Sequence, residues 1–195
     1  MVTEMGLLIL ACFAGLMLAA YWVFRILLPQ EYERWGRLRL YASALELLIW
    51  TGYIAFPYLY NPPEWALFWI QTSELDPWFW GAGSVLIVLG LALAFGTMFW
   101  FGLRRAFGLQ VEGLVQSGPY KWTRNPQLVL GSLMLMGVIV QRPSWYAGLW
   151  GLMALPISHW MVLAEEAHLH EVFGQEYLDY CSDVPRYLRN PFSSR

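Results

Sequence analysis

Two polar clusters near the end of an apolar chain have the residue types and spacing to bind a zwitterion. The first runs through Gly118-Pro119-Tyr120 and Arg124-Asn125-Pro126; the second holds Glu165-Glu166, Phe173-Gly174, Tyr177, Tyr180 and Val184-Pro185-Arg186. Asn125 followed by Pro126 reads as an N-cap and a first-turn proline. A helix start of this kind presents free N–H groups to a carboxylate or phosphate, and Arg124 adds a planar donor fork beside it. Glu165 and Glu166 are adjacent, so on a helix they point about 100° apart and cannot serve one ligand atom equally. One can face the bundle and bind a cation while the other orients Arg124 or stays in water. His159, His168 and His170 match no metal-ligand spacing, and no metal is expected. Cys12 and Cys181 read as unpaired packing residues.

The elements that must hold these groups are membrane helices. Hydrophobic residues make up 58% of the 195-residue chain and charged residues 13%, where a soluble domain carries about 25% charged. Mean hydropathy is +0.43. A net charge of −2 gives no basic field for nucleic acid, so partners should be apolar or small. Apolar runs cover about Met5 to Leu28, Leu40 to Tyr60 and Trp80 to Leu103. A final block, Gln127 to Leu163, is broken at Gln141-Arg142-Pro143-Ser144 into a hairpin of about 14 and 19 residues. The first run lacks a basic start and a cleavage site and reads as a retained helix. The expectation is one domain, all-α and integral to the membrane, with about five transmembrane helices. Residues 1–103 supply three of them; residues 104–195 supply a loop, the hairpin and a cytoplasmic helical segment that completes a pocket.

Charge sets the expected orientation. Arg34, Arg37 and Arg39 fall in the first connection, and Arg104, Arg105, Lys121 and Arg124 in the third, while the connection from Asn61 to Phe79 has no Lys or Arg. The positive-inside rule then puts the N-terminus outside and the C-terminus, with Arg186, Arg189 and Arg195, in the cytoplasm; in a bacterium the membrane would be the inner one. Trp65, Trp69, Trp78 and Trp80 suit an outer headgroup belt. Glu46 lies about 9 Å inside the second crossing, and an intramembrane carboxylate is a site candidate. Ser43, Glu46, Trp50, Tyr53 and Pro57 share one narrow face with it and should turn inward. Gly83, Gly90, Ala94 and Thr97 share a side of the third crossing and permit close helix packing.

Leu114-Val115, Gly118-Pro119-Tyr120, Arg124-Asn125-Pro126, Glu165-Glu166, Leu169, Phe173-Gly174, Tyr177, Tyr180 and Val184-Pro185-Arg186 together resemble the pattern of the membrane methyltransferases that include isoprenylcysteine carboxyl methyltransferase and the phospholipid methyltransferases. The resemblance covers about Val111 to Pro191. Asn125 stands where the family has histidine, and Leu128 where it has tyrosine. What the resemblance implies is an S-adenosylmethionine-dependent enzyme acting on a lipophilic acceptor that enters from the membrane: an isoprenylcysteine carboxylate, a lipid amine or a thiol. Val115, Gly118, Tyr120, Arg124, Asn125, Pro126, Glu165, Glu166, Tyr177 and Tyr180 are then the expected cofactor residues, and Arg124, Glu166 and Glu46 the expected catalytic ones. Membrane sterol reductases, which use NADPH, are similar in the same Gly-x-Tyr, Arg-x-Pro and terminal Tyr-Val-Pro elements. A non-catalytic scaffold with this fold is the third reading.

Overall fold

The computed structural model describes residues 2–60, 76–110 and 113–188. Among them every regular element is helical: α1 (Val2–Trp22), α2 (Leu28–Trp35), α3 (Leu40–Tyr60), α4 (Pro77–Phe101), α5 (Leu103–Ala106), α6 (Pro126–Gln141), α7 (Trp145–Phe173) and α8 (Gln175–Asp183). A π-helical turn, Val23–Leu27, joins α1 to α2 in one rod. Pro29 explains the turn. Proline has no N–H and its ring crowds the carbonyl four residues back, and a π turn widens the helix to relieve this. The rod therefore continues past the expected end at Leu28 to Trp35, stopping at left-handed Gly36 (φ 63°).

Among the described residues, four helical stretches are long and apolar enough to cross a membrane: Leu7–Trp35, Leu40–Pro57, Pro77–Phe101 and Ala147–Phe173. About five crossings were expected; beside these four stretches, α6 is a shorter apolar helix. At 16 residues, α6 rises about 24 Å, below the roughly 30 Å of hydrocarbon core. Its upper end is fixed by Gln141, which is buried and whose Nε2 donates to Ser84 Oγ at 2.8 Å. Ser144 then opens α7 by accepting from the Ala147 N–H. The last helix also runs further than expected, through Phe173 rather than Leu163, so that Glu165, Glu166 and His168 all sit on α7.

Glycine decides how α4 meets α6. A Cβ on Gly83 would lie 2.5 Å from the Gly137 carbonyl oxygen, one on Gly137 2.6 Å from the Gly83 oxygen, and one on Gly90 would strike the Met134 backbone nitrogen. The two backbones touch where the sequence placed a small-residue face. The predicted inward stripe on α3 is also present: Ser43, Glu46, Tyr53 and Pro57 are buried and Trp50 half-buried. Tyr53 and Trp150 stack at 5.0 Å and exchange hydrogen bonds with each other's backbone carbonyls, locking α3 to α7. Trp78 is exposed and Trp80 half-buried. Trp65, Trp69, Arg189 and Arg195 lie outside the described residues.

Candidate functional site

Two segments far apart in sequence are sewn together beside the end of α7. The Arg124 N–H donates to the Pro185 carbonyl at 2.9 Å, while Thr123 Oγ and Asn125 Nδ2 both donate to the Arg186 carbonyl, at 3.1 and 2.9 Å. Tyr180, on α8, donates its hydroxyl to the Tyr120 carbonyl at 2.8 Å. Tyr177, Tyr180 and Val184 form a small apolar core with Leu114, Leu169 and Phe173. This folds α8 back over the loop. Gly174, at φ 52°, makes the reversal possible between α7 and α8.

Asn125 differs from the expected cap. It occupies the N-cap position of α6, but its side chain makes no capping bond to the first turn. The Arg186 carbonyl lies in a non-helical stretch and needs donors, and the Asn125 amide supplies one. Gly118 takes a left-handed φ of 58°, and a Cβ there would press on the Trp100 ring at 2.9 Å.

Glu166 is the electrostatic centre. Its Oε1 lies 2.8 Å from Arg124 Nη1, and its Oε2 accepts from Arg186 Nε and Nη2 at 2.8 and 2.6 Å. Arg124 Nη1 also reaches Cys181 Sγ at 2.8 Å. Burial holds the phenols of Tyr120 and Tyr177 well above their ordinary range and that of Tyr180 up to about 12, so all three are neutral. They can pack and hydrogen-bond but do not act as anions.

Beside this cluster opens a cavity of about 1100 Å³. Its wall includes Glu46 and Tyr53 of α3, Val115 and Tyr120 of the loop, Arg124, Asn125, Glu165, Glu166, Tyr177 and Tyr180. Eight of the ten residues expected to touch a cofactor are therefore brought to one wall. Gly118 and Pro126 stand outside it, Gly118 shaping the turn and Pro126 buried at the start of α6. Glu165 and Glu166 differ in their surroundings: Glu166 is gripped by two arginines, while Glu165 lines the cavity and has no ion pair among the described residues. Among the described residues, polar atoms of the cavity lining that are buried with no hydrogen-bond partner include Arg124 Nε, Tyr177 Oη and both ring nitrogens of His168. Such groups are available to hydrogen-bond a ligand. Toward the outside, Leu47, Ile54, Met136, Leu152 and Leu155 line the same cavity while more than half exposed, forming an apolar side opening.

Sequence reasoning assigned no role to Arg186, His168 or Tyr32, which all belong to this region. Arg186 was visible in the Val-Pro-Arg ending. Tyr32 had no motif, because it lies on the stretch of the first rod beyond the expected apolar run. Among the described residues no group of His, Cys, Asp and Glu could hold a metal ion.

With this geometry, the helices of the described residues, with a cavity that opens sideways between apolar faces, define the class: an integral membrane protein. The model of the phospholipid methyltransferase family matches residues 80–176. Protein-S-isoprenylcysteine O-methyltransferases of Mus musculus and Rattus norvegicus are each 29% identical over 129 residues, which is 61% of this chain and 44% of theirs. Both similarities are to membrane methyltransferases. The chain spans less than half the length of the curated relatives it matches. No solved structure matches the chain.

Proposed function

We propose that the protein transfers a methyl group from S-adenosylmethionine to a lipophilic acceptor that enters from the membrane, with the cofactor held at the cytoplasmic end of the bundle. The observation that carries this reading is the Arg124–Glu166–Arg186 cluster, of which Arg124 and Glu166 line a large cavity beside unpartnered polar atoms. The volume, about 1100 Å³, lies just above the roughly 300–1,000 Å³ usual for a ligand pocket and leaves room for an acceptor beside a nucleoside.

The residues fit the group. Arg124, whose Nε lacks a partner, is placed to take the cofactor's carboxylate, and Glu165 its ammonium. Tyr120, Tyr177 and Tyr180, all neutral, offer ring faces for adenine, with Val115 beside them. Glu166 acts as a positioning residue: by holding Arg124 it fixes the guanidinium in one orientation. Asn125, Pro126 and Gly118 build the turn that supports this wall. When bound, S-adenosylmethionine supplies an electrophilic methyl group on a cationic sulfonium. The chain contributes alignment and the exclusion of water, which are the main contributions to an in-line displacement without a covalent enzyme intermediate. Glu46 is available as a base for an acceptor that carries a proton.

The lipid-side entry is supported by the outward-facing rim of Leu47, Ile54, Met136, Leu152 and Leu155. In this reading the N-terminus faces outward and the cluster near Arg124 the cytoplasm. The testing experiment is a titration of the purified protein with S-adenosylmethionine and, separately, with NADPH. Saturable binding of the first alone supports the methyltransferase; binding of the second alone would make the protein reductase-like, and binding of neither a scaffold.

A further inference from the structure

We propose that His159, held in place by Tyr187, is a catalytic residue that takes the proton from a methyl acceptor whose nucleophilic atom carries one. This rests on the methyltransferase reading and adds to it a base on α7, an alternative to Glu46 on α3.

His159 lines the cavity and is half-buried. It lies seven residues before Glu166 on α7, so the two share a helix face and stand about 10 Å apart along the axis. Leu155 and Leu152 come four and seven residues before His159, on that same face, and both belong to the apolar side opening. Along α7 the order is therefore apolar opening, imidazole, arginine-bound carboxylate. In the methyltransferase reading, a donor anchored through Arg124 and an acceptor entering past Leu155 meet along this stretch. Ser158 also lines the cavity there, but its hydroxyl is already committed, donating to the Ala154 carbonyl at 2.6 Å.

An independent observation is the way the ring is held. Nδ1 of His159 lies 3.1 Å from the hydroxyl oxygen of Tyr187, in the segment beyond α8. Next to Tyr187, the Arg186 side chain grips Glu166 and the Arg186 carbonyl accepts from Thr123 and Asn125, which fixes the backbone that carries the phenol. Burial holds the Tyr187 phenol above its ordinary range, so it is neutral and can accept from an Nδ1–H. That tautomer leaves a lone pair on Nε2, which makes no hydrogen bond among the described residues. It is also the arrangement that survives protonation, because an imidazolium keeps its Nδ1–H and the bond to Tyr187. A brace for the C-terminal segment needs one ring nitrogen; a base needs the second as well. In the reaction, Nε2 takes the proton from the acceptor atom, whose electron pair forms the new bond to the methyl carbon while the sulfur–methyl pair stays on sulfur. The imidazolium returns its proton to water when the product leaves.

Turnover of the full chain in nanodiscs with methyl-labelled S-adenosylmethionine tests this, with hexadecanethiol, hexadecylamine and hexadecanoate as acceptors. His159→Gln should lower kcat on the thiol or the amine by about thirtyfold or more, with KM and S-adenosylmethionine affinity changed less than about threefold. Added imidazole should raise the kcat of His159→Ala by about tenfold or more, a restoration that a purely structural ring does not give, and Tyr187→Phe should lower kcat by about threefold to tenfold. A kcat within about twofold of the parent in His159→Gln, or no restoration by imidazole, overturns the proposal. Label confined to hexadecanoate, which reacts without a base, overturns it too and leaves the methyltransferase reading intact. Carbethoxylation of His159 by diethylpyrocarbonate, read by mass spectrometry, needs no turnover. Where no probe is labelled although S-adenosylmethionine binds, protection of the ring by the thiol or the amine, by about fivefold or more, supports the proposal and its absence overturns it. A failure to bind S-adenosylmethionine sinks the methyltransferase reading and this step with it.

Discussion

The guanidinium of Arg124 lies 2.8 Å from the carboxylate of Glu166, tying the loop before α6 to the end of α7. Both side chains are largely buried, at 14% and 12% exposed, so the pair is little screened. Glu166→Gln keeps the shape but leaves Arg124 and Arg186 without their shared counter-charge. Loss of about 1–3 kcal/mol of stability is expected, as for an unsatisfied buried polar group. Denaturant unfolding in a mild detergent measures it, and an unchanged midpoint would show that the pair is only incidental.

Asn125 gives a sharper contrast. Its amide donates to the Arg186 carbonyl rather than capping α6. Asn125→Asp should therefore destabilise by about 1–3 kcal/mol, because an acceptor would face an acceptor, whereas a capping role would tolerate Asp fully. Asn125→His keeps a donor and should be the milder change. Unfolding of the two variants side by side decides between these roles.

The tyrosines of α8 separate fold from ligand. Tyr180→Phe removes the bond to the Tyr120 carbonyl and should cost about 1 kcal/mol, read as faster amide exchange across α8. The Tyr177 hydroxyl lies beside Arg124 without closing a hydrogen bond, so Tyr177→Phe should change stability by less than about 0.5 kcal/mol. A fall in cofactor affinity with no fall in stability is the expected signature there.

Close approach of α4 and α6 predicts a paired outcome. Gly90→Ala forces a methyl into the Met134 backbone and should destabilise by about 1–3 kcal/mol. Gly96, on the same helix, has nothing within 4 Å of such a methyl. Gly96→Ala should be neutral or stabilising by up to about 1 kcal/mol. Thermal unfolding midpoints report both.

Much of this architecture was legible in the residues, for reasons that differ by element. Apolar runs and the Gln141–Ser144 break located the helices, since hydrocarbon-spanning segments need internally satisfied backbone and long apolar faces. The α3 stripe and the α4 glycines were readable because helical periodicity alone fixes a face. Less legible were the ends. Helix α7 continues through Glu165 and Glu166 to Phe173 because its polar last turns pack against α8 and the loop, and no local signal marks that. The first rod passes Pro29 through a π turn that composition does not announce. Within the site, adjacency left the division between Glu165 and Glu166 open, and it is settled by Arg186, which reaches back from beyond α8. The Asn125 side chain was misread for the same reason: its partner, the Arg186 carbonyl, is distant in sequence.

Calorimetric titration of the purified chain with S-adenosylmethionine, beside Arg124→Ala and Glu166→Gln, bears most directly on the proposed cofactor site. Saturable binding by the parent chain, weakened more than tenfold in each variant, is the expected result for a lost desolvated charged contact. Identical curves for all three proteins, or saturation by NADPH in place of S-adenosylmethionine, would contradict it.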